Sequence, residues 1–148
     1  MIRVRRAGDE AFVRALSRAA FSEYSGEAEA RAAEMLKADT RLLVCERDGR
    51  PVGFAALGFG PQSTARLDAI AVVEEWRGRG VGRALLSAAE QRARDAGALR
   101  LRLATADSNL AALDLFLKHG YRIVRTEQRY YPRGQNAHVL ERDLEGKR

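Results

Sequence analysis

The first polar–apolar alternation, Ile2-Arg3-Val4-Arg5, predicts a short strand. Gly8-Asp9 then opens a helical spacing through Phe12, Val13, Leu16 and Ala20, and a second helix is predicted over 28 to 38. Arg41 to Glu46 reads as a strand, Asp48-Gly49 as a hairpin turn, and Pro51 to Phe59 as the partner strand. After a loop from Gly60 to Thr64, Leu67 to Val73 is an apolar strand. A glycine stretch and a helix to about Ala96 follow, with Gly97 as its cap. LRLRLAT, Leu99 to Thr105, alternates strictly and predicts a strand. Asp107 or Ser108 is expected to cap the next helix, which runs to His119 and stops at Gly120. Tyr121 to Tyr131 and Asn136 to Leu144 are two further strands. The order β, α, α, β, β, β, α, β, α, β, β describes a single α/β domain over 1 to 148. Its sheet is mixed and mostly antiparallel, with about seven strands flanked by about four helices.

The element boundaries leave one sequence unexplained. Arg77-Gly78-Arg79-Gly80-Val81-Gly82 lies between a strand and a helix start. The first N–H groups of a helix lack internal partners, and the dipole adds partial positive charge there. Together they favour an anion, phosphate above all. Gly78, Gly80 and Gly82 let the backbone approach it, and Arg77, Arg79 and Arg83 add charge. No Lys-Ser or Lys-Thr follows, which excludes a P-loop, and GxGxG falls one residue short of the dinucleotide fingerprint.

Composition narrows the picture. The 148 residues are 46% apolar, enough for one core. Cys45 is the only cysteine, which excludes an internal disulfide, and His119 and His138 are far apart, so no metal site is expected. MIRVRRAGDE has no apolar signal core and no membrane span is visible, which points to the cytoplasm. The formal charge is +6. It is spread and mixed with acids, without a like-charge block, so nucleic-acid binding is an alternative rather than the main reading.

The glycine stretch resembles motif A of the GNAT superfamily of N-acetyltransferases, [QR]-x-x-G-x-[GA], and Ile70-Ala71-Val72 resembles the strand end before it. NLAALDLFLKHGY, Asn109 to Tyr121, resembles a second motif of that family in register. The resemblance implies acetyl-CoA as co-substrate, without a metal. Backbone groups of Ile70, Ala71 and Val72 would line the pantetheine arm. The N–H groups from Gly78 to Arg83 would hold the pyrophosphate, Asn109 would bond the arm, and Phe116 would sit near the sulfur. The implied reaction is direct attack by a primary amine of a small molecule or peptide on the thioester. The resemblance also implies a possible homodimer. A non-catalytic acyl-CoA-binding module is the alternative, because Phe116 replaces the tyrosine that serves many relatives as general acid. Ala104 likewise stands where some relatives carry a glutamate base. Tyr130, Tyr131 and Asp68 are the candidate catalytic groups. Glu23 and Tyr24 are candidates for the acceptor pocket, and an acid-rich pocket that included Glu27, Glu29 and Glu34 would suit a polyamine.

Overall fold

The computed structural model describes residues 1 to 22, 33, 36 and 41 to 144. Seven strands form one sheet: β1 (Ile2–Val4), β2 (Arg41–Arg47), β3 (Arg50–Phe59), β4 (Thr64–Val72), β5 (Arg100–Ala106), β6 (Arg122–Glu127) and β7 (Ala137–Asp143). Three helices are described, α1 (Glu10–Phe21), α2 (Val81–Asp95) and α3 (Leu110–Lys118), against about four expected. The helix predicted over 28 to 38 lies outside the described residues, save Ala33 and Leu36. The strand order is β1-β2-β3-β4-β5-β7-β6. Every neighbouring pair is antiparallel except β4 and β5.

The centre of the sheet is covered on both faces. This explains the near-continuous apolar run of β3, in which Val52 to Gly58 are all buried. Leu43, Ala55 and Leu57 face α2, which buries Val81, Leu85, Leu86 and Ala89 against them. Leu42, Val44, Phe54 and Ala69 face Val13 and Leu16 of α1. Asp48 and Gly49 join β2 to β3 with φ of 54° and 76°, the double left-handed geometry of a two-residue hairpin.

The entry to α1 is fixed by charge. Arg3 grips Asp9 with two guanidinium nitrogens, at 2.7 and 2.9 Å, and the Arg6 N–H donates to Asp9 Oδ2 at 2.6 Å. The hydrogen bond from Arg3 holds the Asp9 carboxyl below its ordinary value of 3.8, against the opposing pull of burial. A lowered carboxyl stabilises the fold fully above that ordinary value, and the contribution is lost as pH falls through the folded-state pKa. Asp9→Asn is expected to lose about 1–2 kcal/mol at neutral pH. Denaturant titrations of the two proteins should converge as pH falls below 3.8; a constant gap down to pH ~2 contradicts this assignment.

Three expected boundaries are corrected. β4 begins at Thr64, three residues early, because Gln62 and Ser63 turn tightly with φ near 60° and Gly60 N–H bonds Thr64 O at 2.9 Å. Asn109, rather than Asp107 or Ser108, caps α3, its side chain accepting from Ala112 N–H at 3.3 Å. β6 ends at Glu127, so Tyr130 and Tyr131 lie in the β6–β7 loop and strand alternation does not govern them. There the Arg129 N–H bonds Asn136 Oδ1 at 2.9 Å and Tyr131 N–H bonds Gln135 O at 3.1 Å, bonds that replace the sheet ladder.

Candidate active site

The loop between β4 and α2 has the geometry its glycines require. Gly78 and Gly80 adopt φ of 74° and 86°, in the region that disfavours side chains. Gly80 is the N-cap of α2 and supplies no side chain to it. The first intrahelical bond runs from Ala84 N–H to Gly80 O at 3.0 Å. The N–H groups of Val81, Gly82 and Arg83 therefore stand before the ladder begins. A Cβ on Gly82 would meet Leu115 Cδ2 at 3.4 Å, so α3 closes over this first turn. Arg77 and Arg79 are exposed and Arg83 also faces solvent. The Arg79 guanidinium lies 4.8 Å from the Trp76 ring centroid, a cation–π contact that orients it beside the loop. Arg77 instead turns back, its Nε donating to Val72 O at 3.1 Å.

The loop opens onto a slot in the sheet. β4 and β5 pair only over Thr64 to Arg66 and Arg100 to Arg102. Beyond these rungs the strands part. Val73 N–H donates to Val52 O of β3 at 2.9 Å. Backbone groups alternate sides along a strand, so those of Ala71 also face β3, and those of Ile70 and Val72 face the slot. Ile70 and the Val72 N–H thus expose a strand edge, the Val72 carbonyl accepting from Arg77, while Ala71 packs its methyl group beneath α1. A bulge contributes to the parting: Ala56 and Leu57 pair with Ala69 and Leu67, leaving Asp68 as the extra residue.

A cleft of about 430 Å³ runs through this slot, within the range of small-molecule sites. On one side it is lined by Asn109, Ala112 and Phe116 of α3. The Asn109 oxygen is committed to its own helix, while its Nδ2 has no partner among the described residues. Phe116 is only 3% exposed and stacks edge-on against Tyr121 at 5.9 Å. On the other side stand Asp68, Tyr130, Tyr131 and Ala104. The two tyrosine rings meet edge-to-face at 5.0 Å, and the outer one, Tyr130, is 63% exposed. Asp68 pairs with Arg66 at 3.3 Å while still lining the cleft. Glu23 and Tyr24 lie outside the described residues. His138 is a sheet residue, its Nδ1 2.8 Å from Thr126 Oγ1.

Phe21, Arg102, Arg125 and Glu127 also line the cleft and were not singled out from the sequence. The usable signal for the last three was strand alternation: 102, 104 and 106 share one face of β5, and 125 and 127 extend it on β6. No group of three or more His, Cys, Asp or Glu among the described residues is placed to hold a metal ion.

An open strand edge leading into an uncapped helix start suits an extended ligand with an anionic end. The model of the acetyltransferase (GNAT) family matches residues 10–121. The chain belongs to that family and is an N-acetyltransferase. It is 32% identical over 117 residues to uncharacterized N-acetyltransferases of Mycobacterium tuberculosis and Mycobacterium bovis, covering 78% of this chain and 75% of theirs. Its fold matches that of the ribosomal-protein-S18-alanine N-acetyltransferase of Escherichia coli with a TM-score of 0.84 and 23% identity, over 97% of this chain and 93% of the other. It also matches an aminoglycoside 6'-N-acetyltransferase complexed with coenzyme A, with a TM-score of 0.84 and 14% identity, over 100% and 99%.

Proposed function

We propose that this enzyme moves an acetyl group from acetyl-CoA to a primary amine of a small molecule or peptide, by direct attack while both are bound. The observation that carries the reading is the continuity of the cleft. It joins Ile70 of the open β4 edge and Asn109 and Phe116 of α3 to Asp68, Tyr130 and Tyr131 in one space, and the β4 edge runs on toward the uncapped start of α2. Acetyl-CoA supplies a thioester, whose acyl carbon is the electrophile. The N–H groups from Gly78 to Arg83 hold its pyrophosphate, with Arg79 and Arg83 beside them. The exposed edges of Ile70 and Val72 bond the amides of its arm as a neighbouring strand would, and Asn109 Nδ2 adds a donor from α3. Phe116 excludes water from the sulfur end.

The acceptor amine enters from the face of Tyr130 and Tyr131. Asp68 attracts it as an ammonium and takes up the proton it must lose before attack. A backbone N–H at the slot stabilises the oxyanion. Because Phe116 cannot donate a proton, a tyrosine hydroxyl of the β6–β7 loop protonates the departing sulfur.

This assignment is tested by following thiol release from acetyl-CoA over a panel of amines. Tyr131→Phe or Tyr130→Phe should lower kcat about tenfold, the modest value expected when the leaving thiol is itself fairly acidic. Unchanged kcat in both single variants and the double variant removes the tyrosines from the chemistry. Absence of thiol release with every amine overturns the proposed reaction.

A further inference from the structure

The acceptor side of the cleft contains an ordered pattern of charge. Three rows of side chains cross the sheet on the face that carries α1. The first joins Arg122, Glu141, Arg102 and Arg66 on β6, β7, β5 and β4. The second joins Arg125, Val139 and Ala104, and the third Glu127, Ala137 and Ala106. The alanines leave a shallow apolar floor, and charges surround it. Each arginine has a carboxylate partner: Arg66 with Asp68 at 3.3 Å, Arg125 with Glu127 at 2.7 Å, Arg102 through Nε with Glu141 at 2.6 Å, and Arg122 with Asp143 at 4.0 Å. Four arginines against four carboxylates make this wall neutral overall and alternating in sign. It is therefore a poor trap for a polycation.

The arginines retain donors. A guanidinium carries five N–H groups. Arg125 uses Nε on Glu127, and its two Nη groups have no partner among the described residues. Arg102 binds Glu141 through Nε and Nη2, which leaves Nη1. Two strand spacings, roughly 9–10 Å, separate β6 from β5, a gap that two arginine side chains can span. Asp68 stands on the opposite side of the floor, at the slot.

Resting on the transferase reading above, the geometry points to an acceptor that carries both charges: an amine whose own skeleton bears a carboxylate, as in a free amino acid with an apolar side chain. Arg125 and Arg102 receive the carboxylate in the planar, two-toothed manner that guanidinium favours. Asp68 receives the amine, and the alanine floor takes the side chain. Specificity against polyamines follows from the neutral, alternating wall.

The test is a paired panel with saturating acetyl-CoA: phenylalanine against phenethylamine, leucine against 3-methylbutylamine, and spermidine beside them. The wild type should turn over each acid with kcat/KM at least about tenfold above its decarboxylated partner, as for a hydrogen bond to a charged group. That ratio should fall toward one in Arg125→Gln and recover in part in Arg125→Lys. Arg125 is exposed, so these variants should fold. Equal rates within the pairs, a preference for spermidine, or no turnover of either acid overturns the inference. Calorimetric titration of the wild type with acetyl-CoA separates the levels. Binding without acid preference overturns the acceptor class alone, and no binding overturns the transferase reading with it.

Discussion

Gly82→Trp is expected to abolish acetyl-CoA binding, a rise in Kd of ~100-fold or more, in a protein that still folds. Gly82 lies in the first turn of α2, where the unladdered N–H groups gather. Its φ is not in the left-handed region, and a Cβ there makes ordinary contacts, with Leu115 at 3.4 Å and Val72 at 4.0 Å. Alanine therefore fits. An indole does not: it must occupy the corner between α2, α3 and the open edge of β4, on the path proposed for the cofactor from strand edge to helix start. Gly82→Ala is the matched control and should keep most of the affinity. Calorimetry reads the binding and a thermal melt reads the fold. A folded Gly82→Trp protein that binds acetyl-CoA as the wild type does would remove the pyrophosphate from this loop.

Glu90→Ala should cost about 3–5 kcal/mol of stability, because it breaks a buried ion pair from one side. Glu90 is on α2 and only 3% exposed. Its carboxylate accepts from the Tyr121 hydroxyl at 2.7 Å and from Arg142 Nη1 at 3.0 Å, with His119 Nε2 at 3.4 Å. The variant leaves Arg142 and Tyr121 without their acceptor inside the protein, and that desolvation is the main cost. Substituting Leu at both Glu90 and Arg142 should restore much of the loss, since a packed apolar pair needs no compensation. Urea unfolding measures both. A loss below about 1 kcal/mol would rank this pair with surface salt bridges. The same network gives an alkaline signature. Burial, followed by the charge of Glu90, pushes the Tyr121 hydroxyl above its ordinary 10.0. That contribution is complete below pH 10.0 and declines as pH rises further, when the unfolded phenol ionises and the folded one does not.

Much of this architecture was legible in the chain. Strand β5 announced itself through LRLRLAT, the β2–β3 hairpin through Asp48-Gly49, and the turn into α2 through glycines placed before an alanine-leucine helix. These are local signals: alternation, turn conformations and helix starts depend on neighbours in sequence. The misread elements depended on distant ones. Tyr130 and Tyr131 look like strand residues, but the loop's own bonds to Gln135 and Asn136 hold them out of the ladder. Asp68 stood out as a carboxylate in an apolar strand, but only pairing with β3 reveals that it sits in a bulge. Asn109 stands one or two residues beyond the caps the sequence predicts, Ser108 and Asp107, a distinction that required seeing which side chain reaches Ala112. Glu90 sits in AAEQRARD, where no local signal marks it as buried, because its partners Tyr121 and Arg142 lie 31 and 52 residues away. The tyrosine ending the second motif therefore ties α2 to the far strands, a role its spacing alone did not disclose.

The strand order carries a consequence for synthesis. β7 follows β6 in the chain yet lies between β5 and β6 in the sheet. As the chain grows from its N-terminus, β1 to β4 can pair in chain order as antiparallel neighbours while later residues are still being added. β6 emerges with no neighbour to bond, because its partner is not yet made. Arg125 and Glu127 have no floor beside them until Ala137 and Val139 arrive. The β4–α2 loop and α2 are thus complete early in translation, and the side of the cleft that carries Arg125 and Glu127 closes last, when β7 enters the space kept between its two neighbours.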